Sequence, residues 1–223
     1  MKNIKTNKKI IIFDMDGVLF DSIKIARDSI LAGHPGMTEE MLKEVNTGNF
    51  YEGMKKYAHL KKEQTEEEKE EHKIAYSLKK SEALMYKGTK SLLENLHNMG
   101  YLLVLNTSAY DRNCLPLLER NGIKYIFDLI GTAELSKNKA EKFEIIKDKY
   151  NIKKKNLLFV TDALGDVKEA GIAGIPTVAV TWGMHDKSYF NREKHSYLIS
   201  IVESVKELQD FILKHFNNKR NSY

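Results

Sequence analysis

Short apolar runs recur along the chain, separated by amphipathic stretches. Residues 10–13, 102–105, 126–130, 157–160 and 177–181 are four or five residues long and rich in aliphatic and β-branched side chains. Runs without polar alternation predict strands covered on both faces, the pattern of a parallel sheet. Helical periodicity fills the intervals at 88–99, 112–121, 140–150 and 166–173, and a last helix is expected over 202–216. Gly100, Gly122 and Gly174 fall where left-handed helix stops are expected. Strand and helix alternating in this way predict an α/β fold with a Rossmann-like, doubly wound parallel sheet.

Between Ser22 and about Tyr86 the pattern changes, with only amphipathic helical stretches and no good strand. Thr65-Glu66-Glu67-Glu68 fits a capping box that opens a helix. Lys61 to Lys73 mixes both signs of charge and reads as a solvated helix face. The expected organisation is an α/β core from residues 1–21 and 86–223, with an all-helical lobe, 22–85, inserted after the first strand.

Composition narrows the classes. The chain has 223 residues, 42% hydrophobic and 30% charged, enough for a packed core. Net charge is +5, but the lysines are scattered, with clusters at Lys2, Lys5, Lys8 and Lys9 and at Lys214, Lys219 and Arg220. Without an arginine-aromatic patch, nucleic acid is not an expected partner. No apolar run approaches the roughly 18 residues of a membrane span. The single cysteine, Cys114, allows no internal disulfide and fits a reducing compartment. With no apolar export segment near the start, the expectation is a cytoplasmic protein, monomeric or weakly dimeric.

Carboxylates at strand ends carry the chemistry. Asp14-Met15-Asp16-Gly17-Val18 directly follows the first strand. Residues i and i+2 of an extended path share a face, so Asp14 and Asp16 can address one reaction centre. The carboxyl ends of parallel strands are where open α/β sheets place ligands. Thr161-Asp162-Ala163-Leu164-Gly165-Asp166 follows the fourth run in the same way. Hard oxygen ligands placed there suit Mg²⁺, which takes few carboxylates and keeps waters. The seven histidines form no zinc-ligand spacing. Trp182-Gly183-Met184-His185 reads as a loop at the site rim, with a packed Trp182.

Asp14 to Ser22 closely resembles the first motif of the haloacid dehalogenase superfamily of phosphatases and phosphomutases. The resemblance implies that Asp14 is the nucleophile and Asp16 the general acid and base. Dehalogenase members lack the second acid, so Asp16 argues for phosphate chemistry. By order along the chain, Thr107 is the phosphate-binding hydroxyl of the second motif, with Ser108 where Asn is usual. Lys137 and Lys139 compete for the third-motif lysine, and Lys139 is preferred because a Lys-Ala-Glu pattern and a helix follow. Asp162 and Asp166 keep the fourth-motif spacing, with Thr161 where Gly is usual. The implied Mg²⁺ site comprises Asp14, the Asp16 carbonyl, Asp162 and Asp166, the last direct or through water. The inserted lobe is the implied cap, and its loop at Gly48, Asn49 and Phe50 is the expected substrate selector. The implied activity is Mg²⁺-dependent hydrolysis of a small phosphate ester, 2-phosphoglycolate or a sugar phosphate, through an aspartyl-phosphate. A β-phosphoglucomutase-like phosphomutase and a non-catalytic binding protein are the alternatives.

Overall fold

The computed structural model describes residues 9–192 and 194–218. The terminal lysine and arginine clusters, apart from Lys9 and Lys214, lie outside them. Six parallel strands form one sheet: β1 (Ile10–Phe13), β2 (Leu102–Asn106), β3 (Phe127–Gly131), β4 (Leu157–Thr161), β5 (Thr177–Val180) and β6 (Leu198–Val202). Their spatial order is β3-β2-β1-β4-β5-β6. That is the doubly wound order, with the switch point between β1 and β4.

The apolar runs are strands because each face of the sheet is covered. Ile11, Phe13, Leu103, Leu105, Leu158 and Val160 point into one cluster. There they meet α5 (Thr89–Asn98), α6 (Asp111–Arg120) and α10 (Val205–Asn218). Ile10, Ile12, Val104, Leu157 and Phe159 point the other way, onto α7 (Lys139–Tyr150) and α8 (Leu164–Ala173). Cys114 sits in the first cluster as a packing residue, and burial pushes its thiol up to about 12.

The inserted segment holds α1 (Ile23–Gly33), α2 (Glu39–Val45), α3 (Phe50–Lys55) and α4 (Glu66–Ser81) around a small core of Met37, Leu42 and Val45. The capping box at α4 is complete: Glu68 N–H reaches Thr65 Oγ1 at 3.2 Å and Thr65 N–H reaches Glu68 Oε2 at 2.7 Å. Both ends of the insertion return to one place, where Phe20 bridges Met85 in antiparallel fashion.

One expectation is corrected. Residue Val202 does not begin the last helix; it ends β6, and the helix starts at Val205. Ser204 Oγ accepts from Glu207 N–H, a local start signal that sets the helix boundary. As an edge strand with a half-buried pattern, β6 lacks the continuous apolar run that marks the inner strands. A short helix, α9 (Lys187–Phe190), lies between β5 and β6 along the chain.

Candidate active site

Parallel register brings the strand ends together. Phe13 of β1 sits beside Leu105 of β2 and Val160 of β4. The residues just past these strands therefore share one edge: Asp14, Thr107 and Asp162. Asp14 N–H donates to Val160 O at 2.9 Å, and Thr107 N–H to Gly131 O at 2.9 Å. Gly17 has φ +72°, and a Cβ there would lie 1.8 Å from Asp162 Oδ2. Only glycine lets the first-motif turn press against the fourth-motif acid.

Lys139 opens α7, whose N-cap Asn138 accepts from the N–H groups of Ala140 at 2.8 Å and Glu141 at 3.3 Å. Its ammonium is buried 2.8 Å from Asp14 Oδ2 and 2.5 Å from Asp166 Oδ2. The exposed Lys137 instead places Nζ 5.3 Å from the Tyr51 ring centroid. Thr161, in the usual glycine position, donates its hydroxyl to Asp166 Oδ2 at 2.6 Å. Asp166 Oδ2 is thus shared by Lys139 and Thr161. Asp16 accepts from the Ser22 hydroxyl and from Lys80 of α4, the latter at 2.6 Å.

Charge is crowded here. Burial pushes Asp14 up to about 7; Lys139 counters, while Asp166 and Asp16 add to the rise. Burial, then the Asp14 charge, raises Asp162 well above the usual carboxylate range, against an opposing hydrogen bond from Met184 N–H at 2.7 Å. Burial alone would depress the Lys139 ammonium, but the Asp14 and Asp166 charges outweigh it and hold it above its ordinary value.

Above this cluster lies a cavity of about 160 Å³. Asp14, Asp16, Thr107, Ser108, Lys139 and Asp162 line it from the core. Ile23, Arg27, Ile30, Leu42, Gly48, Phe50 and Lys80 line it from the insertion. The insertion is seated on the core. Gly165 N–H donates to Asn46 O at 2.8 Å. A Cβ at Gly165 would lie 2.1 Å from Gly48 O, so glycine permits this backbone approach. Tyr51 donates to Ser108 O at 2.8 Å.

Residues 11–180 match the haloacid dehalogenase-like hydrolase family. The chain belongs to the haloacid dehalogenase-like hydrolases. A phosphoglycolate phosphatase of Vibrio parahaemolyticus is 24% identical over 222 residues, 92% of this chain and 96% of that one. Another, from Aliivibrio fischeri, is 28% identical over 196 residues, 78% and 85% of the two chains. The crystal structure of a predicted phosphatase from Clostridium acetobutylicum has a TM-score of 0.72 at 24% identity, covering 94% of this chain and 100% of that one. At that identity the structural likeness speaks for the fold.

The metal expected of this hydrolase can be tested on its donor set. Among the described residues, no three His, Cys, Asp or Glu side chains are gathered ready to hold an ion. Mg²⁺ does not need three, because it binds through one or two carboxylates and keeps waters. Asp14 and Asp162 are buried, and nearby carboxylates raise the proton affinity of both, Asp166 and Asp16 acting on Asp14 and Asp14 on Asp162, the mark of a site short of positive charge. These two carboxylates fit a Mg²⁺ ion.

The remaining expected residues divide. Ser108 lines the cavity and does not cap α6, whose N-cap Tyr110 makes no side-chain bond. Gly48 and Phe50 line the cavity, whereas the Asn49 amide donates to Glu169 Oε1 at 3.0 Å and Lys137 O at 3.2 Å. Trp182 packs edge-on to Tyr86 and donates to Val18 O at 3.3 Å. His185 is wholly buried between hydrolase core and insertion. Its Nδ1 accepts from Leu164 N–H at 2.9 Å, which leaves Nε2 to donate to Lys43 O at 3.0 Å.

Sequence reasoning missed Lys80, Lys142 and Glu169. Lys142 is buried one turn after Lys139 and donates to Thr107 O at 2.6 Å and Thr132 O at 3.4 Å. Burial, then the Lys139 charge, pushes it down to about 8. Glu169 stands three residues after Asp166, a spacing that puts both on one helix face and was a usable signal.

Proposed function

We propose that this hydrolase is a Mg²⁺-dependent phosphatase of small phosphate esters, acting through an aspartyl-phosphate on Asp14. The observation that carries the reading is the buried Asp14 carboxylate facing a cavity, with the Lys139 ammonium 2.8 Å away. Phosphoryl transfer needs positioning and charge neutralisation more than covalent machinery. Lys139 supplies a fixed cation to the phosphoryl oxygens, and Thr107 a hydroxyl at the same edge. Asp14 forms the bond to phosphorus as the ester oxygen leaves, and Asp16 gives that oxygen its proton. Asp16 then takes a proton from the water that attacks phosphorus, releasing Asp14 and inorganic phosphate. Mg²⁺, held by Asp14, the Asp16 carbonyl and Asp162, would offset the repulsion between the Asp14 carboxylate and the phosphate dianion.

The size of the cavity favours a small ester. Its volume of about 160 Å³ is close to that of a cavity known to hold benzene, roughly 150 Å³. A phosphoryl group and a leaving group of a few heavy atoms fill that space. The relatives named phosphoglycolate phosphatase make 2-phosphoglycolate the first ester to try, with short sugar phosphates beside it. Phosphate release from a panel of esters, with Mg²⁺ and with chelator, tests the reading. Metal-dependent turnover of two- to four-carbon esters supports it. Turnover of hexose bisphosphates to isomers, or equal rates with chelator, would overturn it.

A further inference from the structure

Asn49 does two things at once. Its Oδ1 accepts from Glu52 N–H at 3.1 Å, capping α3 of the insertion. Its amide donates across to the core, to Glu169 Oε1 at 3.0 Å. The same Glu169 oxygen accepts the backbone N–H of Lys139 at 3.0 Å. Lys139 is the first residue of α7, and its ammonium is the cation against Asp14. Glu169 is only 7% exposed, so each hydrogen bond it accepts counts. A carboxylate is also well placed at a helix N-terminus, where the backbone N–H groups carry partial positive charge. One carboxylate oxygen thus joins the cap loop to the start of the helix that aims the active-site lysine.

We propose that Asn49 and Glu169 form a latch through which seating of the cap sets the position of Lys139, with Glu169 as a positioning residue. The inference rests on the phosphatase reading only for its turnover arm. Backbone contacts at Gly165 seat the insertion on this face, and any parting of the insertion breaks them. When it parts, the Asn49 amide leaves and Glu169 keeps only the α7 N–H. When it seats, the amide fixes the carboxylate, and the carboxylate fixes the residue whose side chain reaches Asp14. Full catalytic geometry then exists only with the cap down. This ties the cation at the phosphoryl site to the exclusion of water.

Charge chemistry at the latch permits a rescue test. Asn49→Asp keeps an N-cap of equal quality for α3 but sets a carboxylate against Glu169 and against the Lys137 carbonyl. Glu169→Gln in that background removes one of the two facing negative charges and offers an amide nitrogen as a donor to the introduced carboxylate. Glu169→Gln alone completes the cycle. Two readouts are taken on the full chain. One is amide hydrogen exchange over residues 44–52 and 137–142, which needs no substrate. The other is kcat and KM on several phosphate esters. Asn49→Asp is expected to speed exchange in both segments and to lower kcat roughly tenfold, within the coupling seen between residues in contact. The loss should be in equal proportion on every ester. The double variant is expected to recover part of both, since the clash with the Lys137 carbonyl remains. Unchanged exchange at 137–142 in Asn49→Asp, or a loss that Glu169→Gln does not partly restore, overturns the latch. Should the parent hydrolyse no ester, the phosphatase reading fails, and exchange alone still decides the latch.

Discussion

Replacing Lys139 by Ala removes the cation that the structure sets between Asp14 and Asp166. Its ammonium lies 2.8 Å from Asp14 and 2.5 Å from Asp166, with the side chain 3% exposed. Breaking a buried ion pair by removing one partner costs about 3–5 kcal/mol, because the remaining charge is left uncompensated. In catalysis, loss of one preorganised group facing developing charge lowers kcat by about 10²–10³. The loss in kcat/KM for Lys139→Ala should therefore be about two to three orders of magnitude, even at saturating Mg²⁺. Lys137→Ala is the control. Its ammonium is 5.3 Å from the Tyr51 ring and on the surface, a contact worth about 0.5–1 kcal/mol at an exposed site. Its effect on kcat/KM should stay within about fivefold. Initial rates on one good ester, with far-ultraviolet circular dichroism to confirm folding, decide the comparison. A larger loss in Lys137→Ala than in Lys139→Ala would refute the reasoning and shift the phosphate cation to the other lysine.

Further outcomes follow from the same geometry. In metal-free protein Asp14 titrates at about 7, so below that pH a proton competes with the cation. Apparent Mg²⁺ affinity should fall by about tenfold per pH unit there, and calorimetry at pH 6 and 7.5 would detect proton release on binding. Affinity independent of pH would contradict this. Gly165→Ala should lower the melting temperature, since its Cβ meets the Gly48 backbone oxygen and that clash outweighs the roughly 0.5–1 kcal/mol by which Ala suits a helix better. The same clash unseats the cap, so kcat should drop, and a variant as stable and active as the parent would argue against cap seating. Phe50→Ala removes an apolar wall of the cavity. It should alter the ratio of specificity constants between esters of different leaving-group size, and equal proportional losses would show that Phe50 does not read the substrate.

Much of the architecture could be read before folding because buried parallel strands announce themselves. Residues 10–13 and 157–160 are unbroken apolar runs, and the acids directly after them follow from the strand-end rule. The edge strand β6 was missed because half-buried edges need no such run. Thr161 looked like a departure from pattern, but in the structure its hydroxyl is a partner of Asp166. Between Lys137 and Lys139 only a preference was legible, from the Lys-Ala-Glu pattern and the helix after it, since two residues separate a buried side chain from one at the surface when a helix begins between them. Lys80 was hidden for another reason. It stands at the end of a highly charged helix that reads as solvated, and only the seating of that helix on α6 and α1 buries it against Asp16. Asn49 was expected to face the substrate, and it faces Glu169, because loop geometry rather than residue type decides which way a short polar side chain points.

The central claim is that Asp14 carries the phosphoryl group. It is tested most directly by mixing the Mg²⁺-loaded protein with a reactive phosphate ester, quenching in acid within milliseconds and reducing with borohydride. An acyl phosphate is reduced to the alcohol, so its position becomes a stable mark in the peptide map. The account predicts homoserine at Asp14 in the parent and none in Asp14→Asn. Homoserine at Asp16 or Asp162, or turnover with no marked residue at any quench time, would contradict it.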